Sequence, residues 1–258
     1  MRQPSETSFD IQDAASRLVR AHKGSALAPH AQVTPPDTAC AYAVQDMVAR
    51  GLGLVGGWKV GAAGPAAEPA CAPLLAAGIF KSGVALVGPP WRARGVEVEV
   101  ALRLGHDLTP GNSDRGPLAP TRVIEAVDAI LPAVEIIETR LDGWRESSPL
   151  AQLADLQNHG GLIIGEPSPI DVRDVDLRTV EAYLAFDGQP VASTRGANPA
   201  ADIWRLVGWL AWHCAQRGMP LRAGQVITTG SCSGVLFAPE GAFVQAQLTG
   251  IGQVELRF

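Results

Sequence analysis

Two glutamates stand at positions 97 and 99, in the run Val96-Glu97-Val98-Glu99-Val100-Ala101-Leu102-Arg103-Leu104. The run largely alternates apolar and polar residues, which is the pattern of a strand. Residues i and i+2 of a strand point to one face, so both carboxylates share a face while Val96, Val98 and Val100 take the other. Like charges that close repel unless a proton or a cation lies between them. A hard divalent cation with oxygen ligands is the simplest compensation. The plain alternative, a strand face bathed in water, is the commoner case for an arbitrary strand. Glu135 weighs against it here. It sits in a second apolar segment, Ala133-Val134-Glu135-Ile136-Ile137, directly after Leu131-Pro132, with Glu138 on the opposite face. Both segments are too apolar to be casual surface.

Lys59 is the next candidate. It lies between Trp58 and Val60 with glycines on both sides. A lysine in a tight apolar strand suits a desolvated acid/base or a carboxylate clamp. Taken alone, a lysine snorkelling from a sheet edge fits as well. A third candidate is the small-residue loop Thr228-Thr229-Gly230-Ser231-Cys232-Ser233-Gly234, whose N–H groups and hydroxyls suit a carboxylate or carbonyl oxygen. It has no GK[ST] and is not a phosphate loop of that kind. Cys232 has no visible activating His/Asp arrangement. The cysteines Cys40, Cys71, Cys214 and Cys232 show no CxxC spacing and read as small apolar side chains. Of the five histidines, His213 reads as structural, and His159, near Asp155 and Asn158, is placed to reach a site.

These groups need a scaffold. The chain has 258 residues, 47% hydrophobic, with net charge −5. That excludes a disordered chain and a nucleic-acid binder that works through bulk positive charge. No apolar run reaches the length of a membrane span, and residues 1–18 lack a signal-peptide core. A cytoplasmic protein is expected. Residues 7–24 read as an amphipathic helix capped by Thr7 or Ser8, residues 28–37 as a loop, and residues 38–51 as a helix. Residues 56–61 form a short strand. Residues 62–83 lack a period and read as a loop with one turn of helix. Strands follow at 96–104, 133–138 and 161–165, with a helix at 121–129. Residues 180–186 and 189–194 make a hairpin about Asp187-Gly188, a type I′ signal. Residues 199–216 are a helix, and residues 226–229, 242–248 and 253–258 late strands. Helices first and strands later favour α+β with a mixed sheet. The expected division is a small helical N-terminal region at 1–55 and a catalytic β domain at 56–258.

In this order, Gly57-Trp58-Lys59-Val60-Gly61, Val96-Glu97-Val98-Glu99-Val100-Ala101 and Leu131-Pro132-Ala133-Val134-Glu135 resemble the motifs of the 2-keto-4-pentenoate hydratase family, within the fumarylacetoacetate hydrolase superfamily. Ala154-Asp155 ahead of Gly160, Trp209-Leu210-Ala211, Leu221 through Gly230 and Gly250-Ile251-Gly252 extend the resemblance over residues 10–258. It implies a mixed β-roll of the superfamily's C-terminal-domain type with a small helical N-terminal part. It implies one Mg²⁺ or Mn²⁺ on Glu97, Glu99 and Glu135. It implies a small 2-oxo acid or its enol as substrate, Lys59 as acid/base or charge partner, and Asp155, Gly230 and Ser231 as substrate-binding residues. It also implies a homo-oligomer. Hydratases of this group carry an acidic residue where this chain has Ala72-Pro73-Leu74-Leu75-Ala76-Ala77-Gly78-Ile79-Phe80, which has none.

The implied reaction is hydration of a 2-hydroxy-2,4-dienoate or 2-oxo-4-enoate to a 4-hydroxy-2-oxo acid, as in aromatic meta-cleavage catabolism. Three alternatives share the metal motif. One is decarboxylation of a 4-oxalocrotonate-type acid. Another is C–C hydrolysis of an acylpyruvate, which wants a His–Glu pair that His22 and His30 do not form. The last is a catalytically silent protein that keeps the metal site.

Overall fold

The computed structural model describes residues 9–258, which form two compact units. One comprises residues 9–54 together with Thr139–Asn158; the other comprises Val55–Glu138 and His159–Phe258. A single division near residue 55 does not anticipate the excursion of Thr139–Asn158 into the helical unit.

The helical unit is built on Ile11–His22 and Thr38–Leu52. Thr7 and Ser8, expected as caps, lie outside the described residues. Asp10 starts the first helix instead, accepting from the N–H groups of Gln12 and Asp13 at 2.9 and 3.0 Å. Asp37 caps the second through Cys40 N. These caps satisfy N–H groups that have no intrahelical partner. Ala14, Ala15 and Leu18 of the first helix and Ala41, Val44 and Val48 of the second are buried at helical spacing, and the two helices pack together. The expected loop at 28–37 contains a two-residue strand, Ala28–Pro29, paired with Leu141–Asp142, and a short helix, His30–Val33.

Asp155 ties this unit together and is fully buried. Its Oδ1 accepts from Arg140 Nε at 2.7 Å and lies 3.5 Å from His22 Nε2. Its Oδ2 accepts from Arg140 N and Thr139 Oγ1. Burial pushes this carboxyl up, but Arg140 and His22 outweigh it and hold it below its ordinary value.

In the second unit eight strands form one mixed sheet. Its order runs Ala70–Leu75, Val55–Gly61, Val226–Ser231, Gly95–Leu104, Val127–Ile137, His159–Ile164, Ile79–Lys81, with Leu236–Phe237 alongside Gly95–Leu104. A second sheet runs Gln189–Arg195, Glu181–Phe186, Phe243–Leu248, Gly252–Arg257, Val84–Ala85. Its two middle late strands pack on Gly95–Leu104 and Val127–Ile137. Among the described residues, no helix is long and apolar enough to cross a membrane.

Several elements differ from expectation. Residues 62–83 contain the strands Ala70–Leu75 and Ile79–Lys81, joined by the 3₁₀ turn Ala76–Gly78. Cys71 through Leu74 are all buried, so the strand lacks the alternation of a half-exposed one, and Pro73 masks it further. The helix expected over 121–129 ends at Ala126, and Val127 starts a strand that runs through Pro132 to Ile137. Pro132 lacks an N–H, and its carbonyl accepts from Gly165 N. The late helix starts at Ile203 under an Asp202 cap rather than at 199. The hairpin turn is as expected, with φ of 50° at Asp187 and 77° at Gly188.

Because Asp155 is a buried charge with its cation beside it, Asp155→Asn should destabilise the helical unit by about 3–5 kcal/mol. The sign with pH follows from the lowered carboxyl. Its contribution is full above the ordinary value of 3.8 and is lost as pH falls through the folded value. Urea unfolding from pH 7 down to pH 3 should show a smaller acid decline for the variant than for the parent. Equal declines would remove Asp155 from this role.

Candidate metal centre

Cross-strand partners on a sheet share a face. Glu97 lies opposite Glu135, and Glu99 lies opposite Ala133 and Ser231. Lys59 lies opposite Thr228, which lies opposite Ala101, two residues from Glu99. One face of the larger sheet therefore gathers all four charged groups from three strands. On that face Leu74, Ala101, Leu131, Ala133, Leu162 and Val226 form a buried apolar cluster, with Ile79 and Ile164 against it.

One carboxylate oxygen from each of Glu97, Glu99 and Glu135 lies within 4.8 Å of the others. Glu99 is 2% exposed, and the Glu135 side chain 1%. Glu135 Oε1 accepts from Lys59 Nζ at 2.5 Å and lies 2.9 Å from His159 Nδ1. Glu135 Oε2 is buried and takes no hydrogen bond. Glu99 Oε2 accepts from Gly230 N at 2.9 Å. Gly230 has φ +96°, a conformation that favours glycine. Asn198 braces that turn: its Nδ2 donates to the carbonyls of Thr229 and Gly230, both at 2.9 Å, and its Oδ1 accepts from Ala200 N. Ser231 lies near Glu97 and acts to lower its carboxyl against the effect of burial.

The charges bear on one another strongly. Burial and the neighbouring Glu135 push Glu97 up to about 6. Burial, then Glu135 and Glu97, push Glu99 well above its ordinary value. Burial alone would raise Glu135, but Lys59 and His159 hold it down at about 2. Burial alone would lower Lys59, yet the charges of Glu135, Glu97 and Glu99 keep it above its ordinary value. With all three carboxylates ionised, the one ammonium would leave two negative charges, in a space with an orphaned buried oxygen. That donor set fits a hard divalent cation such as Mg²⁺ or Mn²⁺.

The structure brings together Lys59, Glu97, Glu99, Glu135, Gly230 and Ser231. Asp155 belongs to the helical unit, where both its oxygens are engaged. Glu138 is also spoken for, its Oε2 accepting from Arg92 N and Ala93 N. Burial and the nearby Glu99 push the Cys232 thiol up to about 12, so it is no nucleophile at neutral pH. None of the four cysteines forms a disulfide. Leu74, in the stretch without an acid, belongs to the apolar cluster. One residue at the site lay outside the expected set. Asn198 has no motif to mark it. His159, singled out in the sequence for its place near Asp155 and Asn158, contacts Glu135.

Residues 65–258 match the fumarylacetoacetate (FAA) hydrolase C-terminal family. The chain belongs to this family. A 2-keto-4-pentenoate hydratase of Paraburkholderia xenovorans (strain LB400) is 31% identical over 163 residues, 63% of this chain and 58% of that protein. The matched stretch thus spans less than two thirds of that relative's length. The 2-keto-4-pentenoate hydratase of Burkholderia vietnamiensis (strain G4 / LMG 22486) is 28% identical over 266 residues, covering 96% of this chain and 97% of the relative. Among solved structures, the 4-oxalocrotonate decarboxylase from Pseudomonas putida G7, complexed with magnesium and adipate, superposes with a TM-score of 0.84. It covers 99% of this chain and 100% of its own at 22% identity. The fold, α+β with mixed sheets and a small helical N-terminal part, is that of the family.

A unit-charge contact near a protein surface is worth about 4 kcal/mol at an effective dielectric of ~20. Losing a third of one such contact is about tenfold in affinity. Glu97→Gln should weaken Mn²⁺ binding by at least that factor in calorimetric titration. Glu138→Gln should leave it unchanged. Equal affinities for all three proteins would take Glu97 out of any cation site.

Proposed function

We propose that this protein is a divalent-metal-dependent hydro-lyase. It adds water to a 2-hydroxy-2,4-dienoate or 2-oxo-4-enoate and yields a 4-hydroxy-2-oxo acid. The observation that carries the reading is the contact of Lys59 with Glu135, inside a buried three-carboxylate cluster whose charge is left uncompensated. The hydratase names of the relatives, one of them matched nearly end to end, support hydration in particular.

Glu97, Glu99 and Glu135 would hold Mg²⁺ or Mn²⁺. When bound, the cation would polarise the 2-oxo group and make the acid an electron sink. Lys59 holds a proton at Nζ beside the cluster, and its role is to pass that proton or to balance the substrate's charge. The N–H of Gly230 fixes Glu99, and Ser231 lies near Glu97. Gly230 and Ser231 thereby border the substrate as well as the ligands.

A second reading, decarboxylation of a 4-oxalocrotonate-type acid, draws on the end-to-end fold match with that decarboxylase. It needs the same electron sink and no water nucleophile. A panel of 2-oxo acids with Mg²⁺ and Mn²⁺, products resolved by mass, separates the two: hydration adds water, decarboxylation loses CO₂. Addition of water is the expected result, and loss of CO₂ alone would transfer the assignment. Lys59→Met should lower turnover on the best substrate by about two orders of magnitude or more, with Mn²⁺ affinity kept. Unchanged turnover would show that Lys59 has no part in proton transfer.

The working form in this reading is a cytoplasmic homo-oligomer. Val235 and Phe237 of the second unit are 43% and 45% exposed and offer apolar area to a second copy. Light scattering at micromolar concentration should give a multiple of 27.0 kDa; a monomeric mass would refute assembly.

A further inference from the structure

Glu135 receives two partners on a single oxygen. Lys59 Nζ and His159 Nδ1 both reach Oε1, at 2.5 and 2.9 Å, while Oε2 is buried without a hydrogen bond. A carboxylate has two oxygens and about four lone-pair sites, so nothing in the group itself forces both partners onto one side. Their convergence divides Glu135 into an oxygen held by the protein and an oxygen left for a cation. An ionised carboxylate only accepts, so the contact requires the proton on Nδ1 of the imidazole.

The backbone makes this contact by an irregularity. His159–Ile164 runs antiparallel to Val127–Ile137, with Glu135 opposite Leu162 and Ile136 opposite Gly161. Regular pairing would then set Ile137 opposite Gly160 and turn His159 to the other face. Instead the register shifts, and Ile137 lies opposite His159. The shift puts the imidazole on the face of Glu135. Gly160 is the residue passed over, and a Cβ there would come within 2.6 Å of Glu138 Cβ. His159 is 4% exposed, so water does not compete for the contact.

We infer that His159 is a positioning residue. It donates from Nδ1 to Glu135 Oε1 and so fixes the rotamer in which Oε2 faces the cation site with Glu97 and Glu99. Lys59 cannot do this alone. Its flexible stem must turn to the substrate in the proposed reaction, and Glu135 would then lose its only other anchor on Oε1. His159 keeps the carboxylate in place while the lysine works. The inference rests on the reading of the acidic cluster as a metal site; it does not depend on which 2-oxo acid is consumed.

The test compares His159→Leu, which removes the donor, with His159→Asn, whose amide N–H lies near the Nδ1 position. Mn²⁺ affinity is read by calorimetry and by electron paramagnetic resonance on the full chain. Hydrogen-bond partners of metal-ligating groups typically carry 10–100-fold in affinity. His159→Leu should lose about that factor, and His159→Asn should recover most of it. His159→Leu binding as tightly as the parent, or His159→Asn binding as weakly as His159→Leu, would overturn the role. Should His159→Leu not fold, long-range ¹H–¹⁵N spectra of the parent protein decide: a neutral ring protonated at Nδ1 supports the inference, and protonation at Nε2 alone overturns it. A parent that binds no Mn²⁺ would sink the metal reading and this inference together. A parent that binds Mn²⁺ but turns over no 2-oxo acid would sink only the lyase reading.

Discussion

Charge crowded into an apolar space is the constraint around which the second unit is arranged. Three carboxylates on one face of a sheet, above a floor of leucine, alanine and valine, cannot all stay ionised without help. The chain supplies part of that help from its own groups. Lys59 and His159 serve Glu135, the Gly230 N–H serves Glu99, and Ser231 serves Glu97. What remains is two negative charges and one buried oxygen without a donor. The deficit is specific in sign and size, and it suits a hard divalent cation.

The helical unit shows the contrasting solution to the same problem. Asp155 is as deeply buried as Glu135, but Arg140 delivers a guanidinium, a backbone N–H and the neighbouring Thr139 hydroxyl to it. Nothing is left over for a ligand. The two acids look alike in sequence, each an isolated carboxylate in an apolar stretch. The completeness of their compensation sets them apart, and that depends on partners distant along the chain.

This explains how much of the molecule could be read from its residues. The period-two spacing of Glu97 and Glu99 and the apolar setting of Glu135 carried the cluster, because strand geometry fixes which neighbours share a face. The hairpin at Asp187-Gly188 was legible because its turn demands positive φ at both central positions. The strand Ala70–Leu75 was not, because burial on both faces erases alternation. The partners of Asp155, Arg140 and His22, leave no local pattern. His159 was singled out, but its partner depends on a one-residue register shift, and single-residue slips are invisible to spacing. Asn198, which braces the Gly230 turn from outside the motif, gave no local signal.

The sheet order has a bearing on how the protein acquires its site. Lys59, Glu97, Glu135, His159 and Gly230 come from five different strands, and the neighbours Val55–Gly61 and Val226–Ser231 are separated by most of the chain. That parallel pairing closes a very long loop, and non-local pairings of this kind form slowly. A partly folded chain has the paired glutamates of one strand but neither the ammonium nor the turn that completes them. Such an intermediate holds no competent cation site. A cation taken up by the cluster would therefore report the finished sheet, and would stabilise only chains that have already completed one of their longest-range pairings.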